Sequence, residues 1–203
     1  MIIDITQTTK IDRVYRPGSP TLKVEKIKCF AGTKKEYTTT LFSCAVHNMG
    51  THIDVMSVDV LLENERLVSQ GIKFNVSHVT DRPVELKDLD VSLIKEGHFI
   101  FFQTNWDKYL DDEEKYNTHP EISIEVIEYL VDKKVNMIGI DTLGLGYGKN
   151  HGLIDAFVGK KGIYAIENLT NLDKIPNKDF RVYCLPMKIE GLDALPARIL
   201  VEF

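Results

Sequence analysis

His52 and Asp54 stand two residues apart in the stretch His47-Asn48-Met49-Gly50-Thr51-His52-Ile53-Asp54. On an extended segment successive side chains alternate faces, so residues i and i+2 project together, about 6.5 Å apart. A neutral imidazole and a carboxylate at that separation can converge on one divalent ion. Gly50 just before them permits a bend or bulge, which re-aims side chains. A single His-x-Asp is common by chance, so the rest of the chain must supply the remaining ligands.

The elements that would position this pair read as follows. Ile2 to Ile5 is a short strand, followed by turn residues at Arg16-Pro17-Gly18-Ser19-Pro20. Leu22 to Phe30 and Tyr37 to Val46 are β-prone, and Ser57 to Glu63 continues as strand or turn. His98 to Gln103 is nearly all apolar, the pattern of a strand buried on both faces. Ile124, Ile127, Leu130 and Val131 fall at helical spacing, with Ser123 as N-cap and Lys133-Lys134 at the negative end. Val135 to Ile140 is a strand with Asp141 at its carboxyl end, and Leu153 to Ile166 forms a second helix–strand unit. Phe180 to Ile189 and Ile199 to Phe203 close the chain as strands. The expected fold is an α/β domain spanning residues 1–203, a largely β body carrying two or three packed helices.

Composition narrows the function. The chain has 203 residues, 43% hydrophobic and 27% charged, which suits a globular protein with a substantial core. A net charge of −5 argues against nucleic acid, whose phosphates need a basic face. No apolar run approaches the ~20 residues that cross a bilayer, and Met1-Ile2-Ile3-Asp4 does not read as a signal peptide. Cys29, Cys44 and Cys184 are odd in number and far apart, as expected of reduced core thiols in a cytoplasmic protein.

Gly50-Thr51-His52-Ile53-Asp54 is followed in order by Phe102-Gln103-Thr104-Asn105-Trp106, Gly139-Ile140-Asp141-Thr142, Gly162 to Leu169 and Ile189 to Arg198, and preceded by Ile3-Asp4-Ile5-Thr6 and Pro17-Gly18. This series, spanning nearly the whole chain, resembles the cyclase or kynurenine-formamidase-like metal-dependent hydrolases. The resemblance implies a swivelling β/β/α fold, a homodimer, and a two-metal zinc or manganese site hydrolysing amides such as N-formylkynurenine, a step of tryptophan catabolism. His52 and Asp54 match the family's central His-x-Asp, and Glu167 matches its late carboxylate ligand. Elsewhere the chain departs. Asn48 and Asp155 stand where the family has ligand histidines, Val58 stands at its general acid/base histidine, and Met56 replaces the usual proline.

A metal supplies a nucleophile at neutral pH by lowering the pKa of water from ~15.7 toward ~7. His52, Asp54, Asp155 and Glu167 would offer it one nitrogen and three oxygens. That hard set favours manganese, magnesium or ferrous iron relative to zinc, and one ion in place of two; manganese and zinc are the leading cofactors. Asp155 is either a substitute ligand or a helix N-terminal residue favoured by the dipole. Asn48 shares the strand face of His52 and can offer an amide oxygen. His47, at an odd offset, points away unless a bulge intervenes, and His151, beside the glycine-rich stretch, either swings in or is an exposed loop residue, the commoner case. Glu167 ends an apolar strand, where a carboxylate is rarely left unpaired.

With valine at position 58 the leaving group lacks its proton donor, worth ~10²–10⁴-fold, unless His47 or Tyr147 supplies it. Trp106 would wall a substrate pocket or fill the core. Gly144-x-Gly146-x-Gly148-Lys149 lacks phosphate-loop spacing and reads as a loop. Arg198 would pair with a buried carboxylate or hold a substrate carboxylate. Two readings follow: a metal-dependent hydrolase of an unknown small amide, lactam or ester, and a catalytically silent relative that binds a small molecule or stabilises a partner.

Overall fold

The computed structural model describes residues 1–57, 59, 60 and 62–203. Val58 and Leu61, and with them the expectation for the 57–63 stretch at those positions and the reading of Val58, lie outside the described residues. Ten strands run β1 (Ile2–Asp4), β2 (Lys23–Cys29), β3 (Tyr37–Ser43), β4 (His52–Asp54), β5 (Val68–Asn75), β6 (Phe99–Gln103), β7 (Met137–Ile140), β8 (Tyr164–Glu167), β9 (Phe180–Pro186) and β10 (Ala194–Glu202). Seven of them close in the order β10-β4-β8-β7-β6-β5-β9, with β9 returning to β10; β1 adds to β10, and β2–β3 form a separate hairpin. A largely β barrel with a few helices on its outside is therefore the architecture.

Alternation on the central strands creates two cores. Phe99, Phe101, Met137, Tyr164 and Ile166 point into the barrel and meet Ile53, Phe180, Val182 and Ile199 there. Ile100, Phe102, Ile138, Ile140 and Ala165 point outward and are covered by helices. Because β6, β7 and β8 pair in parallel, each needs a crossover on the outer face, and both of their faces are buried. At Gly139 a Cβ would come within 2.6 Å of Phe101 and 2.8 Å of Leu169, so only glycine lets the interior close.

The helices are α1 (Glu113–Tyr116), α2 (Ile124–Asp132) and α3 (His151–Lys160). Ser123 caps α2, accepting from the Val126 amide at 3.4 Å, and Val126, Ile127 and Leu130 are its buried stripe. Helix α3 begins at His151 and buries Ile154, Asp155 and Val158. Among the described residues no helix is long and apolar enough to cross a membrane. The three cysteines are unpaired, and Arg198, exposed in the middle of β10, bonds Asp4 at 2.7 Å.

Candidate metal centre

Strand β4 brings its ends to β8 and β10. In the antiparallel register His52 faces Glu167 and Pro196, and Asp54 faces Ala165 and Ala194. The result is that His52 Nε2 lies 3.1 Å from Asp54 Oδ1 and 3.4 Å from Glu167 Oε2, all three side chains being buried. Helix α3 supplies the facing pair. His151 and Asp155 are four residues apart, hence on one helical face, with Nε2 3.5 Å from Asp155 Oδ2 and 4.0 Å from Glu167 Oε1. His47 completes the cluster from a single 3₁₀ turn, Val46–Asn48; its Nδ1 is 3.1 Å from Asp54 Oδ1 and its ring lies edge-on to His52.

Two expectations are corrected by that 3₁₀ turn. The segment before Gly50 is not extended, so face alternation does not apply to it, and His47 enters the cluster. Asn48 leaves it: Oδ1 accepts from the Tyr15 and Arg16 amides at 2.6 and 2.9 Å, and Nδ2 donates to the Arg13 and Pro20 carbonyls at 3.2 and 3.1 Å. With its amide saturated by the N-terminal loop, Asn48 has no oxygen to offer an ion. His151 is likewise no loop residue but the first of α3, stacked so closely over Gly144 that a Cβ there would collide with its ring. Asp155 sits in the middle of that helix, not in its first turn. Trp106 is a core residue, 6% exposed, its Nε1 donating to the Lys115 carbonyl at 3.3 Å.

The cluster is built to face something other than itself. His47 Nδ1, His52 Nε2, Asp54 Oδ1, Asp155 Oδ1 and Glu167 Oε1 are buried without a hydrogen-bond partner, although several lie little more than 3 Å apart. They are close but poorly aligned for bonding to one another, as donor atoms are when they point at a common centre. Their ligand atoms fall into two groups, His47–His52–Asp54 and Asp54–His151–Asp155–Glu167, each within 4.8 Å and sharing Asp54. The other ring nitrogens are tied down. His52 Nδ1 donates to the Gly50 carbonyl at 2.8 Å, and His47 Nε2 to Asp193 at 3.3 Å, which leaves the lone pairs of Nε2 and Nδ1 toward the cluster. Gly50 holds φ +74, a left-handed turn, and its carbonyl also accepts from Asn168 Nδ2, whose own Oδ1 takes the Tyr116 hydroxyl at 2.8 Å.

The electrostatics favour a cation among these groups. Burial pushes Asp155 up to about 8, with the Asp54 charge adding to it. Glu167 is raised well above its ordinary value by burial and then by Asp54 and Asp155. Burial also acts against the Asp54 charge, but His52 and His47 outweigh it and hold that carboxyl below the usual range. Three carboxylates so close cannot all stay charged without positive charge between them. The donor set therefore fits divalent metal.

A cavity of about 430 Å³ opens over the cluster, walled by Arg16, Pro17, His47, Asn117, His119, Leu143, Gly146, Tyr147, Gly148, His151 and Glu167. Trp106 is not part of this wall. His119 is buried, donates Nδ1 to the Pro120 carbonyl at 2.9 Å and meets Tyr147 edge-on at 5.7 Å; burial lowers its pKa, so the ring is neutral. Arg16 and His119 carried no sequence signal, since each reaches the site from a loop. His151 with Asp155 did carry one, the four-residue spacing of a helix face.

Comparison with known proteins bears on this arrangement. The cyclase family, described as "Putative cyclase", matches residues 3–146. An uncharacterized protein of Methanocaldococcus jannaschii is 28% identical over 198 residues, 97% of this chain and 96% of that one. The isatin hydrolase of Roseibium aggregatum is 29% identical over 53% of this chain and 45% of its own, and the kynurenine formamidase of Paracidovorax citrulli 32% over 38% and 36%. Among solved structures, isatin hydrolase A from Ralstonia solanacearum superposes with a TM-score of 0.81 at 21% identity, covering 99% of this chain and 91% of that one. A structure described as a potential metal-dependent hydrolase with cyclase activity gives 0.77 at 26% identity, covering 99% and 98%.

Proposed function

The chain belongs to the cyclase family, and on that premise we propose that it is a metal-dependent hydrolase of a small amide, lactam or ester. One observation carries the reading: five buried donor atoms on β4, β8, α3 and the 3₁₀ turn converge without bonding to one another. Hydrolytic relatives that match parts of the chain, isatin hydrolase and kynurenine formamidase, support it.

His47, His52 and Asp54 would hold one ion, and His151, Asp155 and Glu167 a second, with Asp54 between them. Three nitrogens and three oxygens, divided this way, favour two ions over the single one expected from the sequence, and suit zinc or manganese. Such an ion supplies Lewis acidity, making water a nucleophile near neutral pH and polarising a carbonyl oxygen. The chain's own residues do the rest. Asp193 and the Gly50 carbonyl keep His47 and His52 in the tautomers that present lone pairs. Leu143, Tyr147 and the buried His119 exclude water from the cavity and orient the substrate. His119, with its Nδ1–H donated to the Pro120 carbonyl, would use the lone pair of Nε2 to take a proton from the attacking water and pass it to the leaving group, the role for which Val58 provides no histidine.

The reading includes a homodimer. The β2–β3 hairpin stands apart from the main sheet and exposes Phe30, Tyr37, Leu41 and Phe42, an apolar surface that a two-fold partner would cover. The test of function is hydrolysis of 4-nitrophenyl acetate and of a formanilide by the protein with and without manganese or zinc. Metal-dependent turnover of either supports the hydrolase; metal binding with no turnover of both favours the silent relative.

A further inference from the structure

The wall of the cavity carries a cation, Arg16, whose charge acts on the nearby Asp155 and Glu167 without pairing with either. Arg16 is half-buried and forms no ion pair among the described residues; its side-chain contact is Nη1 to His151 Nε2 at 3.4 Å. Five N–H donors of a guanidinium are thus held beside the cavity with little to bind.

The loop that presents Arg16 is fixed, not loose. Its own amide and that of Tyr15 are held by Asn48, and Tyr15 is buried with its hydroxyl bonded to the Thr8 carbonyl at 2.8 Å. The buried Asn48 thereby places an arginine over the cluster. The positive end of α3 opens on the same cavity, since Gly148 lines it and His151 begins the helix. Among the described lining residues Glu167 is the sole carboxylate, and it belongs to the cage. Charge then sets the ligand. Asp54, Asp155 and Glu167 are balanced by one divalent ion together with Arg16; a second ion leaves the cavity positive.

We propose that Arg16 is a specificity-determining residue that binds a carboxylate of the substrate, so that the protein takes small anionic amides or esters. The inference rests on the metal-dependent reading of the same site. A planar guanidinium pairs with a carboxylate through two parallel N–H bonds, and the cavity volume of about 430 Å³ accommodates a ligand of that kind.

The test is calorimetric titration of benzoate, with neutral benzamide as control, into the manganese-treated full chain and its Arg16→Gln and Arg16→Lys variants. Metal content and melting temperature are measured on each. The wild type should bind benzoate and not benzamide, Arg16→Gln should bind it at least about tenfold more weakly with its metal retained, and Arg16→Lys should recover part of the loss. Equal benzoate affinity in wild type and Arg16→Gln, absence of benzoate binding by the wild type, or loss of metal from Arg16→Gln would overturn the proposal. The two claims fail separately. Arg16-dependent benzoate binding by a protein that takes up no metal supports the arginine and sinks the hydrolase, whereas metal-dependent ester turnover with Arg16-independent benzoate binding does the reverse.

Discussion

His52 on β4 and Glu167 on β8 are direct partners in an antiparallel ladder, and their side chains leave Nε2 and Oε2 3.4 Å apart in the buried end of the barrel. Neither atom can be satisfied by the strands that carry them. The ladder thus delivers a nitrogen and an oxygen to one point, and α3 covers that point with a second pair, His151 and Asp155.

Replacing Glu167 by Gln separates the cost of the cage from its use. Burial and the neighbouring carboxylates raise the Glu167 pKa well above its ordinary value and so favour its neutral form, and the isosteric amide should change stability by less than about 1 kcal/mol. The gain from saturating metal, about 2.7 kcal/mol at a hundredfold excess over Kd, should shrink sharply. Urea denaturation with and without manganese measures both.

Asn48→Ala should destabilise by about 2–4 kcal/mol, because four hydrogen bonds to the loop around Tyr15 are lost and two buried amides are left without acceptors. Limited proteolysis should then cut within residues 8–20. Asn48→His, the residue that the resemblance implies at this position, should not raise metal content, since the side chain here faces the loop; a gain of bound metal on mass analysis would contradict that.

Strands β6, β7 and β9 and helix α2 were legible in the sequence because burial sets their apolar runs and helical spacing, whereas the barrel strand β5 (Val68–Asn75) was not anticipated. His52, Asp54 and Glu167 were legible as strand-end polar residues in an apolar setting. His47 was not, since parity arguments hold only on extended backbone and the residues before Gly50 form a 3₁₀ turn. His151 was assigned to the glycine-rich loop because the start of α3 has no side-chain cap to announce it. Arg16 was passed over for Arg198, which bonds Asp4 from the middle of β10; long-range placement of a loop arginine leaves no trace in local spacing.

Stability should also respond to pH through Asp141. It is buried at the end of β7, accepting from the Thr104 and Asn105 amides, and burial outweighs those bonds to lift it from 3.8 to about 7. The folded protein therefore holds this proton more tightly than the unfolded chain. That contribution is complete below pH 3.8 and is lost as pH rises to about 7. Relative to Asp141→Asn, the wild type should lose a few kcal/mol between about pH 4 and pH 7 by urea denaturation, at 1.36 kcal/mol per unit. A constant difference would show the carboxylate to be charged throughout.

His119→Gln should slow hydrolysis of an amide by about 10²-fold or more and that of 4-nitrophenyl acetate far less, because only the amide leaving group requires a proton. Parallel rate measurements on the two substrates check this; equal losses would make His119 a wall residue only.

The central claim is that the buried cluster is a divalent metal centre, and metal analysis tests it most directly. The purified chain, incubated with manganese or zinc and freed of excess by gel filtration, should retain about two ions per chain by inductively coupled plasma mass spectrometry. Asp54→Asn, which removes the ligand shared by both groups, should retain almost none. Substoichiometric metal in the wild type, or metal content unchanged by Asp54→Asn, would contradict the account.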